Sequence, residues 1–350
     1  MKIFTPLRAA IALAGVIALS TAAVAAAPSG SPRATRDVGS SRFLSVHCGG
    51  QRKHCSPSSS PTSAPSASAS PTTGSTSEPS QSPSPSASAS ATPSGTAGAG
   101  WWHPGPLSSW QWELSWPVDT SRNVQVYDID YIGSGSKSDV AQVVSTLHSQ
   151  GKKAICYLET GGWENYRPDA GDYAASILGS GIDGWAGEKY VDVRALDSVT
   201  GPTGKTLHQI LLARFQRCAD EGFDGVETDI DDQYPANTGF GLTKSDYETF
   251  DKILAGDIHR LGMAWFLKNG INGDSFITDL EPYAEGTVNE SCWTYSECGA
   301  LKPFATAGKP ILNAEYSGSQ SSICPGALSF PMAAMEKKLS LDATVLWQCW

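Results

Sequence analysis

Carboxylate side chains recur at the ends of short apolar segments within residues 101–350 of the chain. Two of them, Asp229 and Glu290, each end such a segment beside polar neighbours. Two carboxyl groups that face one cavity can cleave a glycosidic bond, because one protonates the leaving oxygen while the other attacks the sugar or activates water. The pattern therefore indicates glycosidase chemistry, with Asp229 and Glu290 as the candidate catalytic residues.

Further polar and aromatic side chains share these positions and are candidate substrate-binding residues. Alternation along a strand places Asp128 with Asp130 on one face, and Glu227 with Asp229 on one face. The candidate set consists of Asp128, Asp130, Tyr157, Trp163, Asp192, Arg194, Glu227, Asp231, Lys268, Asn269, Trp293, Glu315, Tyr316 and Trp347. Together they predict a cleft that is lined by carboxylates and rimmed by aromatic rings.

Structural roles compete with this interpretation at several carboxylates. Asp128 and Asp130 could pair with Arg122 or cap the following helix, and Glu227 could be the buried partner of Lys268 or Arg194. A lysine among carboxylates is as often their counter-ion as a ligand for substrate hydroxyls. Charges grouped in this way cost desolvation and repulsion unless a ligand or a reaction uses them. The functional interpretation is therefore strongest for the carboxylates that end strands beside polar neighbours.

A metal site is the chemical alternative to a glycosidase. Asp128, Asp130 and the run 229–232 offer oxygen ligands for Mg²⁺ or Ca²⁺. No calcium-loop spacing with a glycine and a distal glutamate follows, and the six histidines avoid the candidate strand ends. We therefore expect no metal and no other cofactor, and the histidine positions argue against a Ser-His-Asp hydrolase.

Eight short apolar or alternating runs are the candidate strands that must position these side chains. They lie at 124–131, 153–159, 189–194, 225–231, 264–268, 286–292, 310–316 and 344–349. Helical patterns occupy several connections, including 138–148, 207–221 and 243–261, and a glycine closes each. This alternation predicts an α/β fold, a (β/α)8 TIM barrel, whose reacting groups project from the C-terminal ends of the strands.

The N-terminus has the composition of an export signal. Lys2 and Arg8 flank an apolar run, and the small residues before residue 28 offer a cleavage site. This pattern predicts a signal peptide over residues 1–27. We therefore expect a secreted, extracellular protein that has no membrane anchor after cleavage.

Two further segments precede the predicted barrel. Residues 28–55 form a short segment of unknown role. Residues 56–100 contain only Ser, Pro, Ala, Thr and Gly apart from Glu78 and Gln81. Such a segment lacks the large apolar side chains that could offset its ordering entropy, which predicts a disordered linker. The catalytic barrel is then expected over residues 101–350.

The eight cysteines of an exported chain predict disulfide bonds. Cys292 and Cys298 flank a five-residue loop just after Glu290, and a bridge between them would brace that carboxylate. Cys324 could reach Cys349, while the pairing of the remaining four cysteines stays open.

The formal net charge of −10 is unevenly distributed. Residues 1–100 carry 7 basic and 2 acidic side chains, whereas residues 101–350 carry 18 and 33, a net charge of −15. An acidic domain repels nucleic acid and attracts cations. We expect a cationic or amino-sugar polysaccharide as the partner, no nucleic acid, and a monomeric protein.

The motifs of the chain, taken in order, resemble glycoside hydrolase family 114, which contains endo-α-1,4-polygalactosaminidases. The main segments that carry the resemblance are 222–229, 288–292 and 313–316. Supporting pieces are Trp112-Glu113-Leu114, Tyr127-Asp128-Ile129-Asp130, Cys156-Tyr157, Trp163-Glu164, Asp192-Val193-Arg194 and Lys268-Asn269. The resemblance covers roughly residues 110–350.

This resemblance implies a (β/α)8 barrel that hydrolyses internal α-1,4 links in galactosaminogalactan-type polymers. It implies Asp229 as the nucleophile or stabilising carboxylate and Glu290 as the general acid/base. We favour a retaining course. The family usually follows the aspartate with Asn-x-Asp, whereas Ile230 stands here in place of the amide. This departure bears on the substrate contacts beside Asp229.

Two alternatives differ from this reading in substrate or in class. A chitinase-like barrel has a similar Asp-Gly-x-Asp-x-Asp signature, but the glutamate it requires two residues further on is Asp231 here. A non-catalytic carbohydrate-binding barrel would tolerate the loss of either catalytic carboxylate. Because both Asp229 and Glu290 are present, the sequence favours an enzyme.

Overall fold

The structure, a computed structural model, describes residues 100–132 and 137–350. The expected signal peptide, the segment 28–55 and all but the last residue of the expected linker lie outside the described residues. The strands are β1 (Trp110–Glu113), β2 (Val126–Asp130), β3 (Lys153–Glu159), β4 (Gly162–Glu164), β5 (Leu178–Gly181), β6 (Glu188–Val191), β7 (Gly225–Asp229), β8 (Ala264–Lys268), β9 (Gly286–Glu290), β10 (Ile311–Glu315), β11 (Met332–Lys337) and β12 (Val345–Cys349). The α-helices are α1 (Lys137–Ser149), α2 (Leu207–Asp220), α3 (Lys244–Arg260), α4 (Phe276–Leu280), α5 (Lys302–Ala307) and α6 (Gln320–Ser329).

Nine of these strands form one sheet in the order β1-β2-β3-β7-β8-β9-β10-β11-β12. Neighbours from β1 to β11 are parallel, and β12 lies antiparallel to β11. The sheet curls until its two ends approach each other, since the Trp110 indole donates to the carbonyl of Ala333 at 3.0 Å. With helices α1 to α6 in the connections between β2 and β11, the fold is the expected TIM-barrel type.

Of the eight expected strands, one lies outside the nine-stranded sheet and one belongs to it but is antiparallel. The run 189–194 contributes β6, which pairs antiparallel with β4 and β5 in a separate three-stranded sheet. The run 344–349 gives the antiparallel strand β12. Their places are taken by β1, which has only four residues, and by β11. The β11 sequence Met-Ala-Ala-Met-Glu-Lys consists of good helix formers, so its local propensity does not indicate a strand.

Alternation along the parallel strands divides the core into two layers. Ile155 and Tyr157 of β3 lie inside the barrel, whereas Cys156 and Leu158 pack in the outer core against the helices. Phe266 fills the interior, and Gly286 makes room for it, because a Cβ there would lie 2.6 Å from the Phe266 ring. The interior is thus a packed core whose upper end carries the polar strand termini.

Disulfides fasten this architecture at three places. The expected pairs Cys292–Cys298 and Cys324–Cys349 are confirmed, and the latter links α6 to β12. A third bridge, Cys156–Cys218, joins β3 to α2 across the outer core. In the described residues, no helix combines the length and the hydropathy that a membrane span requires.

Candidate active site

Three neighbouring parallel strands end in charged side chains that meet at one point. β7 ends at Asp229, β8 at Lys268 and β9 at Glu290. The Lys268 ammonium lies 3.1 Å from Oδ2 of Asp229, 3.4 Å from Oε2 of Glu290 and 3.0 Å from Oε1 of Glu227. We call these four residues the lysine-centred cluster. Its position at the C-terminal strand ends is where barrel enzymes place their reacting groups.

Lys268 is enclosed by aromatic rings as well as by carboxylates. Its ammonium lies 4.8 Å from the ring centroid of Trp112 and 5.7 Å from that of Tyr157. Burial alone would lower the pKa of Lys268, but the carboxylates of Asp229, Glu227 and Glu290 outweigh burial and hold this pKa well above its ordinary value. The lysine is therefore a permanent positive charge in the centre of the site.

Asp229 and Glu290 remain open to solvent, with side-chain exposures of 16% and 15%, whereas Glu227 is fully buried. The Tyr157 hydroxyl donates to Oδ2 of Asp229 at 2.8 Å, and the Tyr316 hydroxyl donates to Oε1 of Glu290. Each accessible carboxylate is thus oriented by its own tyrosine and by the shared lysine.

The shared lysine also limits the separation of the two carboxylates. Oδ2 of Asp229 and Oε2 of Glu290 can lie at most about 6.5 Å apart, the sum of their 3.1 and 3.4 Å distances to the Lys268 ammonium. Carboxyl groups of retaining glycosidases are about 5–5.5 Å apart, and those of inverting enzymes about 6.5–9.5 Å apart. The upper limit for these two oxygens thus reaches only the lower end of the inverting range.

A second carboxylate pair lies deeper in the barrel. Asp128 on β2 and Glu227 on β7 are both fully buried. Burial and the charge of Glu227 raise the pKa of Asp128 well above its ordinary value. Glu227 in turn contacts Lys268. This pair supports the lysine from below and does not reach the solvent.

Three residues that directly follow the site strands adopt left-handed backbone conformations. They are Ile230 with φ 61°, Asn269 with φ 48° and Ser291 with φ 62°. Asparagine tolerates this region, and the Asn269 side chain also accepts the backbone N–H of Glu290 at 2.9 Å. A β-branched isoleucine is strained there, so the departure from the family pattern at position 230 has a conformational cost.

The strained residue lies against the turn that follows β3. A Cβ on Gly161 would lie 1.9 Å from the carbonyl oxygen of Ile230, so only glycine fits at position 161. The backbone N–H of Ile230 donates to Oδ1 of Asp229 at 2.9 Å. The left-handed turn therefore fixes the second oxygen of Asp229 and brings β7 close to the chain that leaves β3.

Glu315 and Trp293, both candidate binding residues, organise the loop after Glu290. The backbone N–H groups of Trp293 and Thr294 donate to the buried Glu315 carboxylate at 3.0 and 3.2 Å. The Trp293 indole N–H points to the sulfur of Met332 at 3.3 Å. The Cys292–Cys298 bridge closes the same loop. These contacts hold the backbone that carries Glu290.

Two candidate carboxylates are paired with arginines. Asp130 accepts hydrogen bonds from both terminal nitrogens of Arg167, at 2.8 and 2.9 Å, and this pair is buried. Asp192 binds the side chain of Arg194 at 2.9 Å, directly after β6 and outside the barrel. The structure thus gives these three candidates protein partners and does not join them to the lysine-centred cluster.

The remaining candidates surround the cluster at greater depth or at the rim. Asp231 is fully buried and accepts the Thr228 hydroxyl at 2.8 Å. The Trp163 indole, on β4, donates to the carbonyl of Ala170 at 3.0 Å, and the Trp347 indole on β12 lies 3.4 Å from that of Gly318. Both tryptophans are partly exposed and remain candidates for stacking on sugar rings.

Trp112 was missed as a site residue. Its ring lies under the Lys268 ammonium, and its side chain is almost fully buried. The motif Trp112-Glu113-Leu114 was the available signal, but the four-residue strand that carries it was not recognised. Without β1, the sequence offered no reason to direct this ring towards the strand ends of the barrel.

Comparisons with known proteins agree with this geometry. A family model described as glycoside-hydrolase family GH114 matches residues 91–349. A crystal structure of Aspergillus fumigatus Ega3 in complex with galactosamine is 31% identical in sequence, covers 72% of this chain and 100% of that chain, and superimposes with a TM-score of 0.63. No curated protein matched in a separate sequence comparison.

A second solved structure is less similar. The glycoside hydrolase domain of PelA from Pseudomonas aeruginosa is 15% identical, covers 69% of this chain and 98% of that chain, and superimposes with a TM-score of 0.49.

Proposed function

This chain belongs to glycoside hydrolase family GH114, and from that membership we propose that it cleaves internal α-1,4 linkages of a galactosamine-containing polysaccharide. The family makes it a glycoside hydrolase. The single observation that carries the proposal is the lysine-centred cluster, in which two solvent-accessible carboxylates flank one buried cation. That arrangement is suited to an acid-and-nucleophile reaction at a sugar carbon.

Two observations support an amino sugar as the substrate. Ega3, which shares 31% of its residues with this chain, binds galactosamine in its crystal structure. Residues 101–350 carry a net charge of −15, which attracts a polymer with free ammonium groups over a distance that salt shortens. A neutral galactan or a negatively charged polymer gains nothing from that field.

We assign Asp229 as the nucleophile and Glu290 as the general acid/base. In the first step the Glu290 carboxylic acid gives its proton to the glycosidic oxygen as the bond from that oxygen to C1 breaks. Asp229 attacks C1 and forms a glycosyl ester. In the second step the Glu290 carboxylate takes a proton from water, which attacks C1 and releases Asp229. The 6.5 Å upper limit on the carboxylate separation supports this retaining course over inversion.

Lys268 and Tyr157 position the nucleophile in this scheme. Both contact Oδ2 of Asp229, and both stabilise its anionic form before attack and after release. Because Lys268 also contacts Glu290, it holds the two reacting groups at a fixed spacing. Lys268 and Tyr157 are therefore expected to affect the rate of the chemical steps more than the affinity for the polymer.

We also propose that the protein acts outside the cell as a monomer. The export-type N-terminus and the three disulfides of the barrel support an oxidising compartment. Expression with the native N-terminus, followed by sequencing of the protein in the medium and light scattering, tests both points. Retention in the cytoplasm, or a dimer in solution, would contradict them.

The reaction is tested by product analysis with partly deacetylated galactosaminan, beside chitosan and α-1,4-galactan. We expect oligogalactosamines from the wild type, and a loss of kcat on the order of 10³-fold or more in Asp229→Asn and in Glu290→Gln. Asp220→Asn is the matched control, because its exposed side chain lies at the end of α2 and accepts a hydrogen bond from Gln216 of the same helix. It should keep nearly full activity.

The other outcomes discriminate among the alternatives. Cleavage of chitosan alone would contradict the proposed substrate and favour a chitinase-like enzyme. Binding without cleavage would favour a non-catalytic carbohydrate-binding barrel. Proton NMR of the first products distinguishes the two courses. An α-anomer at early times indicates retention, and a β-anomer would overturn the assignment of Asp229 as nucleophile.

A further inference from the structure

A second group of carboxylates lies beside the active site and takes no part in the mechanism. Glu159 ends β3, Glu164 ends β4 and Glu188 begins β6. One oxygen from each lies within 4.8 Å of the others, and all three side chains are buried. Glu164 and Glu188 are direct partners across the antiparallel β4–β6 pair. Like charges placed opposite each other destabilise a sheet, so this glutamate triad requires compensation.

Two arginines of the described residues lie beside the triad. Arg167 contacts Glu164 through Nε, but both of its terminal nitrogens bind Asp130. Arg214 binds the Asp169 carboxylate with two nitrogens. Its third nitrogen donates to the backbone carbonyl of Glu159 and not to a triad carboxylate. Among the described residues, the Arg167 guanidinium is thus shared between Glu164 and Asp130. The Tyr166 hydroxyl, which donates to Glu164, adds no charge.

Glu159 gives an independent indication that something is held here. Its Oε2 atom is shielded from solvent and has no hydrogen-bond partner among the described residues. The backbone of Gly162 makes room for this oxygen, since a Cβ at position 162 would lie 2.2 Å from it. A buried carboxylate oxygen without a partner costs free energy of the order of a lost hydrogen bond or more.

We propose that the glutamate triad binds a divalent cation with hard oxygen ligands, in the first place Ca²⁺. Calcium accepts carboxylates and water at about 2.3–2.6 Å in flexible geometry, so two of its ligands can lie up to about 5 Å apart. Magnesium, at about 2.0–2.1 Å and with strict octahedral geometry, spans only about 4 Å. The triad oxygens lie within 4.8 Å of one another, which is inside the span of calcium ligands.

The cation would join the small β4–β6 sheet to the barrel. Glu159 is the register partner of Asp229 between β3 and β7, so the triad lies one strand away from the nucleophile. Trp163 lies between Gly162 and Glu164 on β4 and points to the opposite face, where Lys189 approaches its ring at 5.8 Å. Calcium thereby fixes the sheet that presents this ring and takes no part in bond cleavage. The site uses none of the carboxylates of the lysine-centred cluster.

Thermal unfolding of the full chain tests the proposal. After removal of metals with EDTA and dialysis, CaCl₂ is added, with NaCl and MgCl₂ at matched ionic strength as controls. For a barrel of this size we expect Ca²⁺ at about a hundredfold excess over Kd to raise Tm by about 5 to 10 °C. The Glu159→Gln variant should lose this shift, and Asp220→Asn, an exposed acid on α2, should keep it.

A second measurement keeps the test decisive if Glu159→Gln does not fold. Terbium has calcium-like coordination, and its luminescence on the wild-type chain, excited through tryptophan and tyrosine and displaced by Ca²⁺, reports the site directly. Glu188→Gln should weaken it at least tenfold. Absence of both a Ca²⁺-specific Tm shift and terbium binding would overturn the proposal and leave a proton shared among the glutamates as the compensation.

Discussion

Two groups of acidic side chains lie on adjacent strands at the same end of the barrel, and like charges lie close together in both. In the lysine-centred cluster, one ammonium lies within 3.4 Å of three carboxylates. In the glutamate triad, the nearest guanidinium is shared with Asp130, and Glu159 keeps an oxygen without a hydrogen bond. The chain supplies its own counter-ion where the chemistry occurs, and for the neighbouring position we propose a bound cation. A fixed lysine keeps the reacting pair independent of solution conditions, whereas an exchangeable counter-ion makes a position sensitive to them.

Removal of the internal counter-ion should have the largest effect. Lys268→Met leaves three carboxylates without their common partner, and breaking a buried ion pair in this way costs about 3–5 kcal/mol of unfolding free energy. Urea unfolding measures this loss, and kcat should fall at the same time. The matched change in the other group, Glu159→Gln in metal-free buffer, removes a repulsion and should not lower stability. Equal losses in the two variants would break the comparison.

Asp232, a buried acid outside both groups, extends the comparison because a bound proton neutralises its charge. Burial raises the pKa of Asp232 from 3.8 to about 7, although the backbone N–H of Gly270 donates to it at 2.9 Å. The folded state holds this proton more tightly than the unfolded chain does. Its stabilising contribution is therefore complete below about pH 4 and is lost as the pH rises through about 7.

The expected slope is up to ~1.4 kcal/mol of unfolding free energy per pH unit between those limits. Asp232→Asn keeps the shape and removes the titration, so the difference between the wild-type and variant curves isolates this group. A difference that is independent of pH would show that Asp232 titrates normally in the folded protein.

The two groups also differ in what a tyrosine hydroxyl contributes. Tyr157→Phe removes the hydrogen bond to Oδ2 of Asp229, and a hydrogen bond to a charged group contributes about 1.5–3 kcal/mol. We expect kcat to fall about 10- to 100-fold with little change in KM. Tyr166→Phe removes the hydroxyl next to Glu164 in the triad and should change kcat by less than about threefold. Steady-state kinetics on both variants decides whether only the lysine-centred cluster takes part in the reaction.

The smallest effect is expected at the border between the two groups. Ile230→Asn places a residue that tolerates the left-handed region at φ 61°, and should raise the unfolding free energy by up to ~1 kcal/mol. Loss of half-buried apolar surface offsets part of this gain. Ile230→Val is the control, because a second β-branched residue keeps the strain. Chemical denaturation should rank Asn above Ile, and Ile at or above Val.

The sequence located the main site because strand ends are local features. The carboxylates 229 and 290 and Lys268 each end a run whose alternation and apolar residues are visible without the fold, and parallel strands bring such ends together. The prediction of a third barrel strand at 189–194 was wrong because this segment forms β6, which belongs to a different sheet. The strand β11 was not predicted because its residues favour a helix, and only tertiary packing makes them a strand.

Pairing across irregular connections was beyond the sequence. The partner of Asp130 is Arg167, 37 residues away in the connection between β4 and β5, and no periodicity links the two. Chain separation has the same effect on disulfides. The bridge Cys292–Cys298 spans 6 residues and was predictable from proximity, while Cys156–Cys218 spans 62 and depends on the packing of α2 against β3. The glutamate triad was likewise not predicted from the sequence, because it joins residues from three strands that only the fold brings together.

The loop after Glu290 has a consequence for protein engineering. Its ends are tied by the Cys292–Cys298 bridge, and Glu315 holds the backbone of Trp293 and Thr294. The intervening tip, residues 295–297, includes Tyr295, whose side chain is about half exposed. Mutations in this tip can change the surface beside the cleft without moving the acid/base. A randomised library confined to these three positions is therefore a route to altered polymer preference at constant turnover chemistry.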